Sequence, residues 1–210
     1  MLQFSHIKKE YGSRPVISIS ELTIPDGIYW LKGANGSGKT TLLKMIGGLI
    51  PFSGDIFLYG VNQRLKPVDY RRLQSFSEAE PAFPPFLTGQ DLIRFHQDIR
   101  KASDAMTNPL IERLGFGKFL SAPIGTYSSG VIKKLSLLLS FIGHPKLILL
   151  DEPLATLDAE AAIVLPELMT EYHRSFGSCF IFSSHHSFGD EKLVIHQKML
   201  LQDQTIQFIA

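Results

Sequence analysis

The feature that most constrains this chain is the segment of residues 33–41, which reads Gly-Ala-Asn-Gly-Ser-Gly-Lys-Thr-Thr. It lies between an apolar run at 28–31 and a run at 41–49 whose apolar residues recur at helical spacing. The pattern G-x-x-x-x-G-K-[ST] between a strand and a helix is typical of a loop that binds phosphates. The sequence therefore predicts a binding site for a nucleoside triphosphate.

Each residue type in this loop has a physical role. Glycines let successive backbone N–H groups converge on the phosphates, and the following helix adds the positive end of its dipole. We expect Lys39 to reach the outer phosphates and the Thr40 hydroxyl to ligate Mg²⁺. The residues predicted to contact the nucleotide here are Gly33, Ala34, Asn35, Gly36, Ser37, Gly38, Lys39, Thr40 and Thr41.

Length and composition narrow the class of protein. The 210 residues suit one domain with a substantial core, and the content of 44% hydrophobic and 20% charged residues is near the globular average. A net charge of +1 provides no basic field, which disfavours nucleic acid as a main partner. Cys179 lies in an apolar run and is predicted to be a buried, inert thiol. No secretion signal or spanning run is recognised, so we expect a cytosolic chain.

The periodicity changes along the chain. Residues 1–58 form short alternating segments with tight turns, as expected for strands, and residues 87–141 show helical spacing that we interpret as an insertion. Short apolar runs at 146–150 and 180–183 predict strands buried on both faces of a sheet. An α/β fold with one domain over residues 1–210 is expected.

Two carboxylates follow the first of these buried strands. Asp151 and Glu152 stand where α/β sheets place groups that contact ligands. Asp151 can hold magnesium directly or through water, and Glu152 can polarise the water that attacks the terminal phosphate. An acidic pair after an apolar run is as often a solvated strand end, but the phosphate loop upstream favours the functional interpretation.

The order and spacing of these elements resemble the nucleotide-binding ATPase subunit of ATP-binding cassette (ABC) transporters, over nearly the whole chain. Residues 33–41 resemble the Walker A motif, and residues 147–151 with Glu152 resemble Walker B and its catalytic glutamate. Tyr11 resembles the A-loop aromatic residue, which implies stacking on adenine. Residues 154–158 resemble the D-loop, which implies that Asp158 lies at the nucleotide. His185 resembles the switch histidine, which implies contact with the γ-phosphate and the attacking water.

The signature motif of the family resembles residues 127–131, which read Tyr-Ser-Ser-Gly-Val. The resemblance implies that Ser128 and Gly130 contact the γ-phosphate bound by the opposite subunit. Ser129 and Val131 depart from the usual Leu-Ser-Gly-Gly-Gln. The same residues are also typical of a helix cap, and both interpretations can hold because a helix amino end is an anion site.

A second departure lies at the position of the Q-loop glutamine, which is Ala79 here, between Glu78 and Glu80. An alanine side chain cannot ligate magnesium. Three alternatives remain open: a neighbouring glutamate substitutes, a water molecule fills the gap, or the metal is held less tightly and turnover is slow.

The resemblance implies an α/β P-loop ABC ATPase core with an N-terminal antiparallel β subdomain and a helical subdomain inserted at about 87–141. It implies an ATPase that uses ATP and Mg²⁺, dimerises head to tail with an identical or paralogous cassette, and drives a separate transmembrane permease from the cytoplasmic face of the membrane. A soluble ABC-type scaffold ATPase, for example in cluster assembly, is the alternative. A nearly inactive regulator is a third hypothesis, drawn from Ala79 and Ser129.

Overall fold

The computed structural model describes residues 1–184 and 193–209. The strands lie before residue 78 and after residue 146: β1 (Leu2–Tyr11), β2 (Arg14–Ile24), β3 (Ile28–Lys32), β4 (Ser53–Leu58), β5 (Val61–Asn62), β6 (Gln74–Ser77), β7 (Leu147–Leu150), β8 (Cys179–Ser183), β9 (Gln197–Gln202) and β10 (Thr205–Ile209). The helices are α1 (Lys39–Ile46), α2 (Pro67–Leu73), α3 (Gly89–Arg100), α4 (Asp104–Arg113), α5 (Ser129–Phe141) and α6 (Ala159–Phe176).

The amino-terminal strands form an antiparallel sheet in the order β2-β1-β4-β5. Leu2 and Phe4 of β1 are buried because a pleated strand with one face on the core turns every second side chain inward, and Ile7 is buried after a shift in the pairing register between Ser5 and Lys8. Phe4, for example, is buried and pairs with Leu22 on one side and Ile56 on the other. The predicted N-terminal antiparallel β subdomain is confirmed.

The second sheet has the order β10-β9-β3-β8-β7-β6, with parallel pairing from β9 to β6. Every residue of β7 and β8 is buried, as the continuous apolar runs predict. Side chains alternate between two cores: Ile148 and Phe180 face the core shared with α5 and α6, whereas Leu149 and Ile181 face the core shared with α1 and the first sheet. The sheet is thus covered on both faces, as a parallel sheet requires.

Cys179 at the start of β8 belongs to the second of these cores and is buried and unbridged among the described residues. Burial raises the pKa of its thiol above the ordinary value. The prediction of a buried thiol is confirmed, and its inertness stays a prediction.

Between β6 and β7 the chain is helical. It contains α3, α4 and α5 together with single 3₁₀ turns at Gly117–Phe119 and Ile124–Thr126. The Thr88 hydroxyl accepts a hydrogen bond from the Asp91 amide and the Asp91 carboxylate accepts one from the Thr88 amide, a reciprocal cap that starts α3. Helix α5 is buried along most of its length against the second sheet. The helices lie where the sequence predicts them, and their assignment to a separate subdomain stays a prediction.

No helix among the described residues combines the length and the apolar character that a membrane span needs.

Candidate functional site

The phosphate loop occupies residues 33–38, between the end of β3 and the start of α1. Gly38, the residue before α1, has φ +104°, and a Cβ atom there would lie 2.7 Å from Cγ1 of Val16. Glycine is therefore required by both backbone conformation and space. Helix α1 was predicted over 41–49 but runs over Lys39–Ile46, because the turn at Gly38 lets the helix begin at once and Gly48, with φ +71°, follows its end.

Lys39 is the first residue of α1 and is largely buried. Its Nζ donates hydrogen bonds to the carbonyl oxygens of Gly33 (2.8 Å) and Ala34 (3.2 Å). The ammonium is thus held over the loop by main-chain acceptors. No acidic residue lies in the first turn of α1, so no side-chain carboxylate there opposes the binding of an anion.

A cleft of about 500 Å³ opens beside the loop. It brings together residues that the sequence predicted from three separate segments: Tyr11, Asn35, Gly36, Gly38, Lys39, Thr40, Thr41 and Glu152. Tyr11 ends β1 with its side chain half exposed, and the Lys9 Nζ lies 4.8 Å from the centroid of its ring. Ala34 and Ser37 line an adjoining hollow that shares Gly36 with the cleft.

Asp151 directly follows β7 and is 1% exposed. Its Oδ1 accepts a hydrogen bond of 2.6 Å from the Ser183 hydroxyl, whose oxygen in turn accepts one of 2.9 Å from the Glu152 amide. Ser183 thereby holds the carboxylate of Asp151 and the main chain of Glu152. The sequence analysis missed this role, although Ser183 ends the strand adjacent and parallel to β7, and that adjacency was the signal that could have revealed it.

The other carboxylate oxygen of Asp151, Oδ2, is buried and has no hydrogen-bond partner within residues 1–184 and 193–209. A buried carboxylate oxygen usually has a partner. Together with the Thr40 hydroxyl in the cleft, it provides the oxygen donors that Mg²⁺ prefers. Thr40 and Asp151 therefore fit the predicted magnesium site.

Lys133 of α5 is fully buried in the same region, and sequence reasoning missed it as well. Its Nζ donates to the carbonyl oxygens of Asp151 (2.8 Å) and Glu78 (2.7 Å), with a longer contact of 3.4 Å to that of Ala79. Burial lowers the pKa of Lys133 to about 8, while the carboxylates of Asp151 and Glu152 act in the opposite direction. The signal in the sequence was the pair Lys133-Lys134 within a mostly apolar helical run.

Ala79 follows β6, where the family carries its glutamine. The neighbouring Glu78, considered above as a substitute, forms an ion pair with Lys44 of α1 at 2.8 Å. The hydrogen bond to Glu78 raises the pKa of Lys44. The carboxylate of Glu78 is therefore already engaged in an ion pair, which argues against Glu78 as the substitute and leaves Glu80, a water molecule or looser metal binding as the alternatives for this position.

The signature and D-loop residues lie together, apart from the cleft. Ser128 caps α5, its Oγ accepting a hydrogen bond of 3.4 Å from the Val131 amide. A Cβ atom at Gly130 would lie 2.6 Å from the Thr156 carbonyl oxygen, so the D-loop approaches too closely for any other residue. Asp158 caps α6 and forms an ion pair of 2.5 Å with Lys134, which lowers its pKa.

The predicted switch histidine, His185, lies outside the described residues, and its role stays a prediction. The described chain before it ends at Ser184, whose carbonyl accepts a hydrogen bond of 3.0 Å from the Trp30 indole.

Comparison with known proteins decides the family. The family model of ABC transporters matches residues 19–155. The chain belongs to the ABC transporter family. It is similar to the lantibiotic transport ATP-binding protein SrtF of Streptococcus pyogenes, with 32% identity over 187 residues that cover 88% of this chain and 80% of that one. It also resembles the bacitracin transport ATP-binding protein BcrA of Enterococcus faecalis, with 27% identity and coverage of 97% and 70%.

Two solved structures show the same ABC fold. The ATP-binding subunit of an ABC transporter superposes with a TM-score of 0.88 at 24% identity, covering 100% of this chain and 90% of that one. A dimeric ATP-binding cassette in a post-hydrolysis state, bound to ADP and Pi, gives 0.81 at 18% identity with coverage of 100% and 99%. The predicted fold class is confirmed. So is the predicted class of protein, an ATP-binding transport ATPase of the ABC family.

Proposed function

We propose that this ABC ATPase hydrolyses Mg²⁺-ATP at a site built jointly by two cassettes, and that it drives a separate membrane permease. The observation that carries the proposal is the division of the predicted residues. Tyr11, the phosphate loop and Glu152 line one cleft, whereas Ser128, Gly130 and Asp158 lie together outside it. A second cassette arranged head to tail would bring its own signature to this cleft.

Within the cleft each residue has a distinct task. Tyr11 stacks on the adenine ring, and the loop amides and Lys39 hold the phosphates. Thr40 and Asp151 hold Mg²⁺, which when bound neutralises charge on the outer phosphates. Glu152 orients and polarises the attacking water, with His185 assisting at the γ-phosphate. Ser128, Gly130 and Asp158 of the second cassette complete the site.

The nucleotide then controls the association of the two cassettes. A γ-phosphate contacted from both sides stabilises the closed pair, and a ligand shifts an equilibrium only through such a difference in contacts. Cleavage removes the γ-phosphate contacts, and the pair opens. The second cassette is either another copy of this chain or a paralogue.

A concentration series tests whether two copies are needed. For a homodimer we expect the specific ATPase rate of the purified chain to rise with protein concentration and to level off where light scattering shows that ATP has assembled the dimer. A specific rate that is independent of concentration, from a protein that scattering shows to be monomeric throughout turnover, would contradict the joint site. If a paralogue is the natural partner, the chain alone stays inactive and the rate appears on addition of the second cassette.

A groove of about 750 Å³ between α2, β6 and α3 fits the predicted contact with a permease. Four apolar side chains in its lining are more than half exposed: Leu49, Val68, Phe95 and Ile99. Arg71, Arg72 and Lys101 line it as well. Exposed apolar area with a charged rim is characteristic of a protein interaction site. We propose that a cytoplasmic segment of the permease binds here and holds the chain at the cytoplasmic face of the membrane.

Replacing Phe95 with aspartate is expected to reduce copurification of a multi-spanning protein from native membranes by tenfold or so, because a charge would be buried in the contact. Quantitative mass spectrometry of the captured material measures this. Leu65→Asp is the matched control, since Leu65 is 81% exposed and lies outside the groove lining. Capture of a soluble assembly factor in place of a membrane protein would favour the scaffold alternative.

A further inference from the structure

The segment that follows β6 lies between the groove and the main chain at Asp151, to which Lys133 ties it. Glu78, Pro81, Ala82 and Phe83 line the groove. The strand ladder reaches its last bond at the Asp151 amide, which donates to the Ser77 carbonyl at 2.9 Å. Beyond Ser77 the β6 and β7 chains separate, so the next carbonyl groups on both sides need another donor.

Lys133 provides that donor. Its ammonium lies between the two diverging chains, bonded to the Glu78 carbonyl on one side and to the Asp151 carbonyl on the other. The side chain is fully buried, so water does not compete for these acceptors. A lysine ammonium has three N–H groups, which matches the three carbonyl oxygens around it, the third being that of Ala79 at 3.4 Å.

The same segment is held from its other side by the Glu78–Lys44 ion pair to α1. Its main chain is thus fixed to the end of β7 at Asp151, and the side chain of Glu78 is fixed to the helix that follows the phosphate loop. Ala79 contributes only a carbonyl oxygen. At position 79, therefore, a link between the groove and the cleft can run only through the main chain and through the Lys133 ammonium that is bonded to it.

We propose that Lys133 is a positioning residue that couples the groove segment at 78–83 to the carboxylates of Asp151 and Glu152. In this chain the residue at position 79 is Ala79, which has no polar side chain that could make such a connection itself. The inference depends on the proposed ATPase function and deepens it. A displacement of the groove segment by a bound partner moves Lys133, and with it the main chain at Asp151, which places Glu152 against the attacking water.

The test compares Lys133→Met with wild type, because methionine keeps a long side chain and removes every donor. We expect kcat for ATP to fall about 10- to 100-fold, the effect of misplacing a catalytic group by a fraction of an ångström to an ångström. KM should change less than about twofold, because Tyr11 and the loop still bind the nucleotide. Amide hydrogen exchange at 78–80 and at Asp151, measured without nucleotide, should accelerate roughly tenfold.

Ser75→Ala is the matched structural control. The Ser75 hydroxyl donates a buried hydrogen bond of 2.6 Å to the Ser140 carbonyl, so it also ties β6 to α5 but does not reach the groove segment. We expect Ser75→Ala to lose stability while keeping the kcat of the wild type and slow exchange at Asp151. An equal loss of kcat in both variants would assign Lys133 to ordinary packing and overturn the proposal.

Lys133→Gln, which keeps two N–H donors, decides the matter if the methionine variant does not fold. It should show a smaller loss of kcat at constant KM, and an unchanged kcat with unchanged exchange would overturn the coupling role. Different results would refute the proposed ATPase function and the proposed role of Lys133. A wild-type chain that never hydrolyses ATP, even with a second cassette, refutes the proposed function and this inference together, whereas normal hydrolysis by both Lys133 variants refutes this inference alone.

Discussion

Replacing Glu152 with glutamine is expected to lower kcat for ATP hydrolysis by at least about a hundredfold, the usual contribution of a positioned general base. Glutamine has nearly the same shape but cannot polarise water as a carboxylate does. ATP binding should persist, because the loop and Lys39 hold the phosphates and remain unchanged, whereas Glu152 only lines the cleft beside them. Single-turnover hydrolysis and equilibrium binding of a labelled nucleotide measure the two effects separately.

The same variant reports on the closed pair of cassettes. If cleavage is what opens the dimer, Glu152→Gln should accumulate as an ATP-bound dimer that size-exclusion chromatography resolves from the monomer. Glu112→Gln, an exposed change in α4 with the same loss of charge, should behave like wild type. Hydrolysis that survives in Glu152→Gln would remove the role given to this residue. A wild-type chain that stays as inactive as the variant even after a second cassette is added would favour the regulator hypothesis raised by Ala79 and Ser129.

The second large effect is expected for Lys39→Ala. The ammonium is held over the loop by the Gly33 and Ala34 carbonyls, and its charged hydrogen bonds to phosphate are worth about 2–3 kcal/mol. Their loss should weaken ATP binding about 30- to 140-fold, since each 1.4 kcal/mol corresponds to about tenfold. Calorimetry with a non-hydrolysable ATP analogue measures the dissociation constant directly.

Lys44→Ala provides the comparison for that change. Lys44 lies on the same helix and carries the same charge, but its Nζ pairs with Glu78 and it does not line the cleft. Its removal should change the dissociation constant for the ATP analogue by no more than a few-fold, as expected for a partly exposed ion pair. Equal weakening by both substitutions would mean that net charge, and not the position of Lys39, accounts for the binding.

The type of each helix or strand was predictable from the sequence, but the residues at which it begins and ends were predicted less accurately. Apolar runs indicated β7 and β8 because a strand that is buried on both faces is apolar at every position and does not alternate with polar residues. The start of α1 was placed two residues late, since the prediction relied on apolar spacing and the helix begins at the glycine turn before it. The order of motifs predicted which residues gather beside the loop, although Glu152 is far from Tyr11 in sequence.

The sequence by itself determined the phosphate loop, its flanking strand and helix, and the family to which they belong, because those depend on short-range backbone requirements and on spacing along the chain. Only the tertiary structure decided what surrounds Asp151. Ser183 and Lys133 are 32 and 18 residues away from it. They meet it because β8 pairs beside β7 and α5 packs across the sheet, and neither relation leaves a periodic signal that a reading of one segment could detect.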